Sequence, residues 1–235
     1  MTAELEIRVV IAGGGQGTRF GAPLPKQFQL LGGRPVLIHG AERIASLPHV
    51  KEIVFVLPAM TLPPEVESGM DQFRRGHGSI PVQLIHGGSR RQDSVAKGLR
   101  AFSRPCDVAF IHDAARPFPP VDAMKSLASR AWDHGAAILA LPATDTLKQS
   151  DEHGRVASTL DRRSIWRAQT PQALRGEFID RLCLVLDEPT EFSDESAALE
   201  SLGIPVSLVE GSEENFKITH RRDLLRAQAM LQALE

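Results

Sequence analysis

The sequence predicts an α/β fold: a mostly parallel, doubly wound, Rossmann-like sheet flanked by helices, with a protruding β-arm. Three observations carry this. Short continuous apolar runs alternate with segments of helical periodicity as far as Leu141, the pattern of buried parallel strands covered on both faces. A glycine-rich loop follows directly on the first run, where α/β sheets bind ligands. The alternation then breaks once, over about 142–168, in a polar stretch with β-like patterning.

The elements follow in order. Residues 7–12 form the first strand. Pro35 stands where a first-turn proline belongs, and Val36, Leu37, Ile38, Ala41, Ile44 and Ala45 mark the buried stripe of a helix. Residues 53–57 read as the second strand, and 82–85, 108–111 and 136–141 as further strands, with helices over 94–102 and 121–132. Within the polar stretch, 145–148 and 155–160 are extended and His153-Gly154 is the turn between them. Such a hairpin is barely stable alone, so it must pack on something. Helices over 176–186 and 193–202, a strand at 206–209 and a closing helix over 220–234 return to the α/β pattern. With no repeat or linker, residues 1–235 read as a single domain that includes the arm.

Composition narrows the function. Lys and Arg number 27 against 29 Asp and Glu, so the chain lacks the global basic field that non-specific nucleic-acid or polybasic membrane binding needs. Any anion site must be local. Cys106 and Cys183 form no CxxC pair and have no nearby Cys/His cluster, which argues against structural zinc and for a reducing compartment. The segment Met1-Thr2-Ala3-Glu4-Leu5-Glu6 is acidic where a signal peptide is basic, and no apolar run approaches the roughly 20 residues that span a bilayer. The expectation is a cytoplasmic protein with neither nucleic acid nor membrane as partner.

Chemistry concentrates in a few motifs. Gly13-Gly14-Gly15-Gln16-Gly17-Thr18-Arg19-Phe20-Gly21 lets main-chain N–H groups approach an anion closely. It is neither a Walker loop, which needs Gly-Lys-Ser/Thr, nor a dinucleotide fingerprint, which would need glycine in place of Phe20. Five glycines in nine residues make a mere connector a poor account of it. Arg19 in that loop and Lys26 in Pro23-Leu24-Pro25-Lys26-Gln27-Phe28 suit a polyphosphate whose charge moves during reaction. His112-Asp113-Ala114-Ala115-Arg116-Pro117 ends an apolar strand. There Asp113 can hold Mg²⁺ or a ribose hydroxyl and Arg116 a second anion; a buried Asp–Arg pair shaping the turn is the alternative. His112 has no nucleophile at hand and reads as structural. Asp161-Arg162-Arg163, Thr170-Pro171-Gln172 and Asn215-Phe216-Lys217-Ile218-Thr219 add phosphate-capable groups that read individually as solvated loops.

Taken in order, these motifs resemble the 2-C-methyl-D-erythritol 4-phosphate cytidylyltransferase family. Gly87-Gly88-Ser89-Arg90-Arg91-Gln92-Asp93-Ser94-Val95, Asp145-Thr146-Leu147-Lys148, Gln169-Thr170-Pro171-Gln172 and Ser193-Asp194-Glu195-Ser196-Ala197-Ala198-Leu199-Glu200 extend the likeness over nearly the whole chain. The resemblance implies cytidylyl transfer from CTP to methylerythritol phosphate, with release of pyrophosphate, in non-mevalonate isoprenoid synthesis and with Mg²⁺ as cofactor. It implies that Arg19 and Lys26 stabilise the transition state and that Arg162 and Lys217 position the methylerythritol phosphate. It puts nucleotide contacts on Gly13, Gly14, Gly15, Gln16, Gly17 and Ser94, and Asp113 at ribose and metal. Arg116, Thr146, Thr170 and Ser193 fall on positions for the second substrate. It further implies a homodimer in which the arm reaches the neighbour's site, and a chain that leaves the next pathway step to another protein.

Two departures keep an alternative open. Gly13-Gly14 stands where the family more often has Ala-Ala, and Ser193 where threonine is common. The glycine start and the Pro23 to Phe28 motif also resemble ribitol-5-phosphate cytidylyltransferase. A nucleotide-binding regulatory module without activity is the reading from another class.

Overall fold

The computed structural model describes residues 4–15, 20–21 and 24–234. Gln16, Gly17 and Arg19, three of the expected site residues, lie outside them. In chain order the elements are β1 (Ile7–Ala12), β2 (Leu30–Leu31), β3 (Arg34–Pro35), α1 (Val36–Ala45), β4 (Val50–Leu57), α2 (Pro64–Gly76), β5 (Val82–His86), α3 (Arg91–Arg100), β6 (Val108–Asp113), α4 (Val121–His134) and β7 (Ala136–Pro142). Then come β8 (Lys148–Ser150), β9 (Val156–Thr159), β10 (Trp166–Arg175), α5 (Ile179–Asp187), α6 (Glu195–Ser201), β11 (Val206–Glu210) and α7 (Arg221–Leu234).

Seven strands form one sheet in the order β11-β7-β10-β6-β1-β4-β5. All neighbours run parallel except β10, which is antiparallel to both β6 and β7. The chain therefore grows from β1 outward through β4 and β5, then returns to place β6 on the other side of β1. That reversal is a topological switch point. It opens a crevice beyond the carboxyl ends of β1 and β6, where an open α/β sheet binds its ligand.

Burial follows from the strand sequences. Val9, Val10 and Ile11 of β1 are fully buried, because alternate side chains meet helices on opposite faces. On one face Ile11, Phe55 and Phe110 pack with Leu37 and Ile38 of α1, Met70 and Phe73 of α2, and Leu127 of α4. On the other, Val10, Val54 and Leu174 pack with Val95 and Leu99 of α3, Leu182 and Leu186 of α5, and Leu199 of α6. Helix α3 lies unusually close to the sheet. A Cβ on its Gly98 would stand 2.6 Å from Val10 Cγ1 and 2.8 Å from Val56 Cγ2. A smaller cluster joins Ala227 of α7 to Phe20, Leu31, Val36, Phe118 and Ile218.

Several expectations need correction. Helix α2 carries Val66, Met70 and Phe73 at helical spacing after Pro64 in its first turn, where the sequence pattern predicts no helix over 58–81. Pro35 is the residue before α1 rather than inside it, and pairs with Leu30 in a two-residue ribbon. Helix α3 begins at Arg91, before the expected 94, because Asp93 in its first turn accepts the Arg90 backbone N–H at 2.9 Å. Strand β6 runs on to Asp113, past the expected 111. The largest difference is β10. Residues 169–172 form the interior of a central strand, where Gln169, Thr170 and Gln172 are buried. Its register shifts between Ala168 and Gln172, around the cis Thr170–Pro171 bond.

The polar excursion does form an antiparallel pair, β8 with β9, every residue of which is exposed. Asp151 closes the turn by accepting the His153 and Arg155 N–H groups at 2.9 and 2.8 Å, and Gly154 sits at φ 75°.

Candidate active site

The crevice between β1 and β6 holds a cleft. Gly13, Gly14 and Gly15 form one wall, Lys26 and Gln27 stand beside them, Gly88, Ser89, Arg90, Arg91 and Ser94 begin α3, and Asp113, Ala114, Ala115, Lys217 and Thr219 close it.

Glycine is required in the first loop by close approach. A Cβ on Gly13 would stand 3.0 Å from both Ala114 Cβ and Leu57 Cδ2, and one on Gly14 would stand 2.7 Å from Ser94 Oγ. The loop is held by Gln27, a buried side chain whose amide donates to the carbonyls of Gly13 at 2.6 Å and Gly15 at 3.0 Å. Those two carbonyls are thereby satisfied from the protein side. The sequence shows Gln27 within a motif but assigns it no role.

Ser94 is a hinge pin between loops. Its hydroxyl accepts the Gly88 N–H at 3.0 Å and donates to the Arg90 carbonyl at 3.2 Å. It lines the cleft, so the structure brings it to the expected place, with its hydroxyl already engaged in fixing Gly87-Gly88 against α3.

Asp113 lies at the centre of the charges. Its Oδ2 meets Lys217 Nζ at 2.9 Å and Arg116 Nε at 3.5 Å, and its Oδ1 meets Arg91 Nη2 at 3.2 Å. Burial alone would push this carboxyl up, but Arg91, Lys217 and Arg116 together hold it well below the usual carboxylate range. Arg91 is raised in turn, its burial outweighed by Glu195 and Asp113. Burial lowers Arg116, against the pull of Asp113. The alternative of an Asp–Arg pair shaping the turn is thus present within the site itself: Arg116 pairs with Asp113 and donates to the Asn215 carbonyl at 2.6 Å.

Behind the charges lies a neutral network. Thr170 Oγ1 accepts the Asp113 backbone N–H at 3.0 Å and stands 3.2 Å from His112 Nδ1, whose ring completes a bond through Nε2 to the Arg116 carbonyl at 2.9 Å. One consistent set of protons has Thr170 donating to Nδ1 and Nε2–H donating to the carbonyl, so His112 is neutral. Burial lowers its pKa to about 4. Asn215 is fully buried, and its amide donates to Thr170 O at 2.8 Å and Gln169 Oε1 at 3.2 Å, which fixes the loop that carries Lys217.

Of the expected residues, the cleft brings together Gly13, Gly14, Gly15, Lys26, Ser94, Asp113 and Lys217. Arg116 touches it through Asp113. Thr170 is buried behind it with both hydroxyl functions used inside the protein. Arg162, Thr146 and Ser193 are exposed outside it, and Arg162 donates to the Thr144 carbonyl at the base of the arm. The sequence reading assigns no role to Arg91 or Glu195. A signal was there: an arginine in the first turn of a helix faces the unfavourable end of the helix dipole and needs an acidic reason to be there.

Among the described residues no cluster of three His, Cys, Asp or Glu side chains could hold a metal. Asp113 is the one carboxylate lining the cleft among them. That donor set fits a hard divalent ion that takes one carboxylate and draws its other ligands from substrate phosphates and water.

The family model described as "2-C-methyl-D-erythritol 4-phosphate cytidylyltransferase" (IspD) matches residues 7–233. The enzyme of that name from Chromobacterium violaceum is 39% identical over 226 residues, covering 95% of this chain and 97% of the relative. The "Bifunctional enzyme IspD/IspF" of Desulfotalea psychrophila is 35% identical over 224 residues; the match covers 95% of this chain but 56% of that longer protein. Among solved structures, the 2-C-methyl-D-erythritol 4-phosphate cytidylyltransferase of Thermus thermophilus superposes with a TM-score of 0.76 at 30% identity, covering 97% of this chain and 99% of that one. With the family model spanning almost every described residue and the switch-point cleft at its centre, this chain belongs to the 2-C-methyl-D-erythritol 4-phosphate cytidylyltransferase family.

Proposed function

We propose that this protein transfers a cytidylyl group from CTP to 2-C-methyl-D-erythritol 4-phosphate, releasing pyrophosphate, in non-mevalonate isoprenoid synthesis. The observation that carries the reading is the convergence of Lys26, Arg91 and Lys217 with Asp113 around a glycine wall at the switch point. Two phosphate-bearing substrates repel, each unit-charge pair at about 4 Å costing about 4 kcal/mol at an effective dielectric of 20. The cations of the cleft offset that repulsion.

In-line attack by an acceptor phosphate oxygen on the α-phosphorus needs no protein nucleophile, so catalysis reduces to alignment and charge stabilisation. The glycine wall leaves room for the nucleotide to approach main-chain groups. Lys26, with Arg19 from the same stretch of sequence, stabilises charge growing on the α-phosphate, and Lys217 meets the acceptor phosphate. Mg²⁺, held by Asp113 together with nucleotide phosphates, would neutralise charge on the triphosphate when bound. Lys217 must exchange Asp113 for a substrate oxygen as the site fills.

We infer a homodimer from the arm. Val156 is 65% exposed and Leu160 and Trp166 are also exposed, so the excursion has apolar surface with no core beneath it in its own chain. A two-fold mate supplies that surface reciprocally. Arg162 and Thr146 then serve the neighbour's acceptor, which accounts for their distance from the cleft of their own chain. Two free thiols agree with a cytoplasmic setting, and no helix among the described residues is long and apolar enough to cross a membrane.

A pyrophosphate-release assay that crosses the four nucleotides with methylerythritol phosphate and ribitol phosphate tests the reading. Release confined to CTP with methylerythritol phosphate is the expected result. Release with ribitol phosphate instead would replace the acceptor, and no release with any pair would leave a nucleotide-binding module.

A further inference from the structure

The closest contacts of Arg91 are with Glu195, not with Asp113. Nη1 lies 2.6 Å from Glu195 Oε1 and Nη2 lies 3.0 Å from Oε2, a two-point grip. Toward Asp113 the same guanidinium reaches a single oxygen, Oδ1, at 3.3 Å from Nε and 3.2 Å from Nη2. Glu195 is buried, with its side chain 1% exposed, a costly place for a carboxylate that serves no purpose.

Glu195 is itself placed from the sheet. Gln172 of β10, also buried, donates to Asp194 Oδ2 at 2.9 Å and accepts the Ser196 N–H at 2.9 Å, holding both neighbours of Glu195. Asp194 caps α6 through the Ala197 N–H at 3.0 Å. A line of fixed contacts therefore runs from the central strand through α6 to Arg91 and on to Asp113. Its effect is on how Asp113 is shared. An unrestrained arginine fork closes on a carboxylate with two parallel bonds and occupies both oxygens. With the fork turned to Glu195, Arg91 takes Oδ1 alone, and Oδ2 faces Lys217 at 2.9 Å and the cleft, with Arg116 Nε farther off at 3.5 Å.

We propose that Glu195 and Arg91 are positioning residues for the nucleotide, Glu195 holding Arg91 to one oxygen of Asp113 so that the other stays available to the cleft. This rests on the nucleotide-site reading above. The test is CTP affinity by titration calorimetry on the full chain, alongside kcat, both KM values and the melting temperature.

Glu195→Gln keeps the shape and removes the charge. It should weaken CTP binding by about tenfold, on the scale of losing an outer partner of a ligand-holding carboxylate, with the KM for the acceptor changed less. The same change in an Asp113→Asn background should weaken CTP no further, and Glu195→Asp should recover part of the loss. Should Glu195→Gln fail to fold, Arg91→Lys retains the charge without the two-point grip and should show the same selective loss. Unchanged CTP affinity with a lower melting temperature would make the pair structural and overturn the proposal alone. A wild-type chain that binds no CTP overturns the nucleotide-site reading and this proposal with it.

Discussion

The Lys217 ammonium rests 2.9 Å from Asp113 Oδ2, so the cation assigned to the acceptor and the carboxylate assigned to the nucleotide are in contact before either substrate arrives. The pair keeps each side chain extended into the cleft, and it gives each substrate's arrival a direct effect on the other's partner.

That contact predicts coupling. Asp113→Asn should cost about 3 kcal/mol in urea unfolding, because it leaves Arg91, Arg116 and Lys217 without their shared anion. Lys217→Ala, harmful in the wild type, should cost little or even stabilise in the Asp113→Asn background. Additive losses across the double-mutant cycle would show that the two groups act separately.

Lys26→Ala should lower kcat with CTP by roughly 10²–10³, the scale of one lost donor at a developing charge. Its unfolding free energy in urea should change little, by less than about 1 kcal/mol, as for a partly exposed side chain at the edge of a cleft. Near-wild-type turnover would remove Lys26 from the mechanism.

His112 predicts an acid-side loss of stability. In the unfolded chain it takes a proton near 6.5, while the folded protein resists protonation until about 4. Between those values the unfolded state binds more protons, so the contribution is whole above 6.5 and falls as pH drops toward 4, by up to about 3 kcal/mol. Urea titrations across that window should show a shallower fall for His112→Gln than for wild type. Equal slopes would mean that His112 titrates normally in the folded protein.

Deleting the hairpin between Leu147 and Leu160 should abolish both association and activity, as read by light scattering and pyrophosphate release. Mixing arm-deleted chains with Lys217→Ala chains then asks whether one intact arm and one intact cleft can complement each other across a dimer. A fully active monomer would end the dimer proposal.

The parallel half of the fold was legible because its strands are apolar on both faces and therefore stand out as unbroken runs. Strand β10 was not. Gln169, Thr170 and Gln172 interrupt its apolar pattern, and each is buried only because a partner in another segment, Ser212, His112 or Asp194, satisfies it. A polar residue matched over tens of positions in sequence looks the same as a solvated one. Helix α2 is hidden for the opposite reason: its exposed face is dense with charge, which masks the three-residue apolar stripe. In the site, the glycines and lysines that stand out in the sequence line the cleft themselves. Gln27 holds the glycine loop and Glu195 holds Arg91, and such second-hand roles leave no spacing to read.

The two ends of the arm have a consequence for how this fold can vary. Strand β7 leaves the sheet and β10 re-enters it as hydrogen-bonded neighbours, Pro142 opposite Trp166. The gap the excursion must close is therefore one strand spacing, about 4.8 Å, whatever its length. Doubling a loop costs only about 0.6 kcal/mol in closure entropy, so the length of the arm is free to vary. Its reach can be rewritten without disturbing Gln172, Asp113 or the crevice of its own chain, which separates the geometry of the excursion from that of the sheet.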